Sequence, residues 1–285
     1  MAEHRFVTVD GVRIHYVAAG EGQPLLLLHG LGASLVAWAA NIVPLSQRFS
    51  VFALDIPGHG DSDRPEVDYL PSTGSDFIRG FMEALSIPRA SLAGSSMGGL
   101  LALRATLDFP CLVERLMLVD SAGLGRDLAW SLRALSLPLV GEVLESTSLR
   151  GTRGMLRRIF YDRSFVQEDL LQELYRVRSV PGSKQAILRA LRGAVSWRGL
   201  RSRWMMLEHL KALGVPVLIV WGAQDRVVPV RHARRAAGLA PGVELCIFEG
   251  CGHWPQMEKS AEFNRIALDF LTDQRVFHFK EPSWM

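Results

Sequence analysis

The sequence predicts an α/β protein, a mostly parallel sheet wrapped by helices with a helical insertion between two of its strands. Three observations predict it. Apolar runs of strand length at residues 24–29, 113–119 and 215–221 read as strands buried on both faces, and each stops at turn-forming residues. Between most of the strand runs lie stretches with helical spacing. From residue 123 to 206 the alternation lapses, and only helical patterns follow one another. The chain has 285 residues, 48% of them hydrophobic and 21% charged, which suits one large domain with an insertion and argues against disorder or a repeat array.

Taken in order, residues 5–9 and 13–18 flank Asp10-Gly11, a hairpin signal, so the chain opens with an antiparallel ribbon. The run PLLLLH, residues 24–29, is the first buried strand and ends at His29-Gly30-Leu31-Gly32. Residues 34–47 predict a helix with Trp38, Ile42 and Leu45 on one face, and residues 50–54 the next strand. The turn-rich stretch 55–63 carries Asp55, His59, Asp61 and Asp63. Its spacing matches neither a calcium loop nor a helical zinc pair, so loop hydrogen bonding is expected there and no metal. Residues 72–85 predict a helix, 90–93 a strand, and 99–107 a helix. Residues 113–119 predict a strand ending at Asp120. The insertion then reads as helices over 128–144, 150–161, 168–177 and 184–193. Residues 215–221 and 244–248 supply the last strands. The expected division is a core at 1–122 and 207–275, a helical cap at 123–206, and a tail at 276–285.

Within this frame, Gly94-Ser95-Ser96-Met97-Gly98 places a serine on a sharp turn between strand and helix. So tight a turn strains the serine backbone, and hydrogen alone at the flanking α-carbons leaves room for strand and helix to pack. The Met97 amide then starts a helix, where free N–H groups favour negative charge, and Leu31 in the earlier glycine-rich loop is the candidate second donor. A serine hydroxyl needs a base and an orienting acid. Asp225 lies in the turn after residues 215–221, and His253 lies in the glycine-bounded loop after the last strand. Asp120, also at a strand's carboxyl end, is the rival acid.

Charge is unevenly distributed. The insertion from Leu124 to Met205 holds fifteen basic residues against seven acidic ones, +8, and the remainder of the chain carries −5. Such a basic cap could draw in anionic substrates or lie near an anionic membrane surface. Its apolar stripe, Trp130, Leu132, Leu135, Leu137, Leu139 and Val140, is expected to line a pocket or pack the cap down. Three cysteines, Cys111, Cys246 and Cys251, make no disulfide or zinc framework. The N-terminal stretch lacks the apolar core of a signal peptide, and no run approaches the ~18 apolar residues that span a bilayer. The expectation is a cytoplasmic protein, monomer or homodimer, with a small-molecule substrate, no cofactor, no nucleic acid and no membrane span.

Five stretches together carry a family resemblance: His29-Gly30-Leu31-Gly32, DIPGHGDSDRP at 55–65, GSSMGG at 94–99, WGAQDRVVP at 221–229 and GCGHWPQMEKSAEFNR at 250–265. The chain resembles the α/β-hydrolase family over nearly its whole length. The resemblance implies an eight-stranded, mostly parallel sheet with a helical cap after the sixth strand. It also implies Ser96 as nucleophile, His253 as base, Asp225 as orienting acid, and Leu31 and Met97 as backbone donors of an oxyanion hole. Dehalogenases and epoxide hydrolases of this fold carry aspartate where this chain has Ser96. The stretches at 94–99 and 252–265 are similar to serine hydrolases that cleave carbon–carbon bonds in ring-fission diketones, where a tryptophan follows the histidine as Trp254 does here. Those enzymes carry asparagine at the position of Ser95, and their cap arginine has no evident match within residues 173–178. The expected activity is therefore hydrolysis of carboxylic esters with apolar short-to-medium acyl chains, with Gly30, Ser95, Trp130 and Trp254 in the substrate pocket. Carbon–carbon bond hydrolysis is the alternative, and a receptor-like module with little turnover is the reading from another class.

Overall fold

The structure is a computed structural model that describes residues 2–272. Strands β1 (Glu3–Val9) and β2 (Val12–Ala19) form the opening ribbon. It turns on Asp10 and Gly11, both at positive φ (49° and 80°), as a two-residue Asp-Gly hairpin requires. Six more strands follow: β3 (Gln23–Leu28), β4 (Phe49–Leu54), β5 (Ala90–Ser95), β6 (Val113–Val119), β7 (Val217–Gly222) and β8 (Val243–Phe248). The sheet order is β1-β2-β4-β3-β5-β6-β7-β8, antiparallel at β1/β2 and β2/β4 and parallel from there on. This is the eight-stranded, mostly parallel sheet of the α/β-hydrolase fold.

Side chains alternate across a strand, so a continuous apolar run feeds two cores at once. Leu26, Leu28, Leu92 and Leu118 share one core with Phe77, Phe81 and Leu103 of helices α2 (Pro71–Ala84) and α3 (Met97–Asp108). Leu25, Leu27, Ala93 and Val119 share the other with Ile42, Phe263 and Phe270 of α1 (Ala39–Leu45) and α11 (Ser260–Leu271). The stretch expected as one helix over 34–47 divides: a 3₁₀ turn, Leu35–Trp38, comes first because the Ser34 hydroxyl accepts from the Val36 N–H, and α1 follows.

Between β6 and β7 lie α4 (Trp130–Leu135), α5 (Val140–Leu144), α6 (Leu149–Ile159), α7 (Glu168–Arg178) and α8 (Ser183–Ala194). The single helix expected over 128–144 breaks between α4 and α5. Pro138 has no amide to donate, and the chain reverses in a γ-turn in which the Val140 N–H donates to the Pro138 carbonyl at 2.8 Å. The turn holds Leu139 at φ 66°, ψ −46°, a conformation that costs a non-glycine residue about 1–3 kcal/mol. The two ends of the helical segment meet where the Met206 N–H donates to the Gly123 carbonyl at 2.8 Å. A two-stranded ribbon, Val195–Ser196 with Gly199–Leu200, lies near its end. Helices α9 (Arg231–Leu239) and α10 (Pro255–Glu258) complete the fold. The expected tail at 276–285 lies outside the described residues. Among those residues no helix is long and apolar enough to cross a membrane, and the three cysteines are free.

Candidate active site

The serine turn is built as its glycines require. Ser96 sits at φ 54°, ψ −113°, between the end of β5 and the start of α3. A Cβ added at Gly94 would stand 2.3 Å from the Gly98 carbonyl oxygen, one at Gly98 would stand 2.3 Å from that of Leu28, and one at Gly99 would stand 2.3 Å from the Ser121 hydroxyl. No side chain fits at any of the three. The strained backbone is held from β6, since the Ser96 N–H donates to the Val119 carbonyl at 2.9 Å and the Ser96 carbonyl accepts from Ala122 at 3.1 Å.

The loops after β7 and β8 bring Asp225 and His253 together. His253 Nδ1 lies 2.7 Å from Asp225 Oδ2, and both side chains are almost wholly buried. The other carboxylate oxygen of Asp225 accepts from the Val227 and Val228 amides at 2.7 and 3.1 Å, which fixes its plane. His253 and Ser96 face the same cavity, while the Ser96 hydroxyl has no hydrogen-bond partner among the described residues. Serine–histidine contacts of this kind commonly close only around substrate.

The rival acid is not elsewhere in the molecule. Asp120 is fully buried at the end of β6, with a carboxylate oxygen in the same cluster as Asp225 and His253, all within 4.8 Å of one another. Its Oδ1 accepts from the Gly222 amide at 3.1 Å, and its Oδ2 has no partner among the described residues. Burial, and then the neighbouring Asp225 charge, push the Asp120 carboxyl well above the ordinary range. That burial and that neighbouring charge favour the neutral form of Asp120. Two acids therefore share the place for which the sequence offered a choice, and the geometry gives the histidine to Asp225.

Leu31 and Met97 both leave their amides without an acceptor among the described residues, beside Ser96 at the end of β3 and the start of α3. Gly30 comes close to the serine: a Cβ there would stand 3.0 Å from the Ser96 Cβ. His29 packs beneath this loop, fully buried, accepting at Nε2 from the Ile56 amide and lying 2.8 Å from the Gly30 carbonyl through Nδ1. Burial lowers its pKa, so the ring is neutral and Nδ1 carries the proton.

A cavity of about 310 Å³ lies between the sheet ends and the helical segment, with Gly30, Leu31, Ser96, Trp130, His253 and Trp254 in its wall. Ser95 is the exception among the expected pocket residues. It is fully buried, and its hydroxyl faces the Gln256 amide at 3.5 Å, because adjacent side chains at the end of β5 point to opposite sides. The Met97 side chain faces a separate cavity of about 230 Å³.

Two residues that carry weight here escaped the sequence reading. Arg178, the last residue of α7, reaches the cavity wall although residues 173–178 offered no evident match to a cap arginine. It is buried, donating to Glu145 Oε1 at 2.6 Å, to the Gly32 carbonyl at 2.8 Å and to the Ser146 carbonyl at 3.3 Å. Glu258 ties the histidine loop to the helical segment, accepting from Gly252 at 2.6 Å through one oxygen and from Tyr161 and Asp162 at 2.8 and 2.9 Å through the other. The approach is close, with the His253 N–H donating to the Ile159 carbonyl at 2.7 Å. Nothing in the local sequence marks Glu258 as reaching across ninety-seven positions.

The acidic turn at 55–63 is consumed by its own hydrogen bonds. Asp55 accepts from the Leu35 and Asp61 amides at 2.7 and 2.9 Å and lies 2.7 Å from His15 Nδ1, while Asp61 pairs with Arg176. Its oxygens are already engaged by protein donors.

Residues 23–260 match the family model for the alpha/beta hydrolase fold. A 2-hydroxy-6-oxo-6-phenylhexa-2,4-dienoate hydrolase of Comamonas testosteroni is 32% identical over 265 residues, covering 90% of this chain and 91% of that protein. Among solved structures, a meta-cleavage product hydrolase of Pseudomonas fluorescens IP01 superposes with a TM-score of 0.82 at 31% identity, over 95% of this chain and 98% of the other. A carboxylesterase of Bacillus subtilis gives 0.77 at 25%, over 96% and 92%. With the sheet, the serine turn and the matched span in agreement, the chain belongs to the alpha/beta hydrolase family.

Proposed function

We propose that this hydrolase cleaves carboxylic esters with apolar short-to-medium acyl chains through an acyl-enzyme on Ser96. The observation that carries the reading is the convergence of Ser96, Leu31 and His253, the last held by Asp225, on one largely apolar cavity, with the Leu31 and Met97 amides left without acceptors among the described residues. In this mechanism His253 Nε2 takes the Ser96 proton as Oγ attacks the ester carbonyl, and the Leu31 and Met97 amides donate to the resulting oxyanion. Asp225 holds the ring with its proton on Nδ1 and stabilises the imidazolium. His253 then protonates the departing alkoxide, which leaves as the alcohol. Water, deprotonated by the same nitrogen, attacks the acyl-enzyme and releases the acid and the serine.

The ester reading is supported by what the cavity does with its buried cation. The Arg178 charge is already matched inside the protein by Glu145 and two carbonyls, with Nε alone left without a partner among the described residues, so less of it is left for a carboxylate-bearing substrate. Carbon–carbon bond hydrolysis is the second reading, favoured by the position of Arg178 in the cavity wall and by the activities named for two of the similar proteins. One plate separates them: p-nitrophenyl esters of increasing acyl length and a ring-fission diketone, each with the native protein and Ser96→Ala. Ester turnover that depends on Ser96 and peaks at one chain length is the expected result. Cleavage of the diketone with esters barely touched overturns it in favour of the second reading. Slow single turnover of every compound by folded protein points instead to a receptor-like module.

A further inference from the structure

The cavity has an outer rim as well as a floor. Trp130 of α4 and Leu144 of α5 line it, and they are 72% and 54% exposed. Leu139 and Val143, beside Leu144 in the γ-turn and α5, are each 80% exposed. Nine large apolar side chains are exposed among the described residues, and four of them fall within residues 130–144, two of which, Trp130 and Leu144, line the cavity. Exposed leucines scattered singly need no explanation, but a cluster around an opening marks a surface that something covers. The same rim carries Arg158 of α6 and Arg226 of the loop after β7, both exposed and without an ion-pair partner among the described residues. Arg150 and Arg157 on α6 are exposed and unpaired in the same sense, whereas Arg153, Arg176 and Arg192 are matched by acids.

We propose that this rim docks on an anionic lipid surface, setting the cavity mouth against the source of its substrate. Tryptophan and leucine at the tip with arginine around them is the chemistry of a face that dips into the interface and pairs with acidic head groups. The charge distribution orients the molecule as well: the insertion carries +8 and the rest of the chain −5, so a negative surface attracts the mouth and repels the opposite side. It also disfavours a second copy as the occupant, since two mouths placed face to face bring two basic surfaces together. As a route for substrate, the docking rests on the ester-hydrolase reading; as a binding event, it is measured without turnover.

The test is co-sedimentation of Ser96→Ala protein with vesicles of phosphatidylcholine alone or with one-third phosphatidylglycerol, at low and high salt. Binding to the anionic vesicles is expected to be at least about tenfold tighter and to be lost in ~0.5 M salt. The double variant Leu139→Asp with Val143→Asp, outside the cavity wall, is expected to lose vesicle binding. In the otherwise native protein it is expected to leave turnover of a soluble short-chain ester unchanged. Absence of vesicle binding, equal binding to both compositions, or undiminished binding by the double variant overturns the proposal. So does a salt-stable dimer, seen by analytical ultracentrifugation, that the double variant dissolves, because the rim would then be a contact between copies. Vesicle binding by a protein that hydrolyses no ester leaves the docking standing and removes the ester reading.

Discussion

Leu25, Leu26, Leu27 and Leu28 in the third strand are all fully buried, whereas Trp130, Leu139, Val143 and Leu144 at the start of the helical segment are each more than half exposed. The sheet spends its apolar residues on two cores that fix the strand ends to within the tolerance of a hydrogen bond. The helical segment keeps some of them outside, and it leans on charge as well: Arg178 and Glu145 are paired in the cavity wall, and Arg192 of α8 holds Glu142 of α5. The contrast teaches that placing a nucleophile and shaping its access are separate physical tasks, the first served by dense packing and the second by a surface free to meet something else.

Four experiments break or sharpen that contrast. The largest effect belongs to the body: Ser96→Ala is expected to lower ester turnover by about 10⁴- to 10⁶-fold with little change in stability, read by kcat and a thermal melt. Next is the buried pair of the cap. Arg178→Met leaves Glu145 buried without its cation and is expected to cost about 3–5 kcal/mol in urea unfolding, while adding Glu145→Leu recovers most of the loss. A single variant that melts like the native protein would show that the cap does not depend on this charge pair.

The third experiment returns to the body. Because the Asp120 carboxyl is raised, the folded protein holds a proton that the unfolded chain releases above its ordinary value of 3.8, so this group's contribution to stability falls as pH rises. An asparagine at the same position would keep the neutral contacts without that dependence. The stability of Asp120→Asn relative to native is therefore expected to climb from pH 4 toward 8, by at most about 1.4 kcal/mol per pH unit, in urea melts across the range. A flat difference would mean that Asp120 is ionised. The smallest effect is at the rim, where Leu139→Gly removes a side chain from a strained turn and is expected to gain about 1 kcal/mol in the same measurement.

Legibility follows the same division. The strand runs, the glycines around Ser96 and the order of serine, aspartate and histidine could be read because each depends on residues within a few positions of one another. The break at Leu139 was partly readable, since Pro138 announces a helix boundary but not the γ-turn that follows. What stayed hidden was contact across the chain. Arg178 meets Glu145 through thirty-three positions of intervening helix and turn. Asp120 meets Asp225 only because β6 and β7 are neighbours in the sheet, so a choice between two acids became a pair. Ser95 was misplaced for a local reason: its neighbour's exposure says nothing about a side chain that points the other way.

One hydrogen bond, from the Met206 amide to the Gly123 carbonyl, closes the helical segment at its base. The sheet therefore sees the segment as a detour that returns to its starting point, and the gap it must bridge is the same whatever is built on the far side. Loops of this kind tolerate changes of length at small entropic cost. In evolutionary terms, the lid can grow, shrink or be exchanged without pulling on β6 or β7, so the range of molecules admitted can drift while the bond-breaking machinery stays where it is.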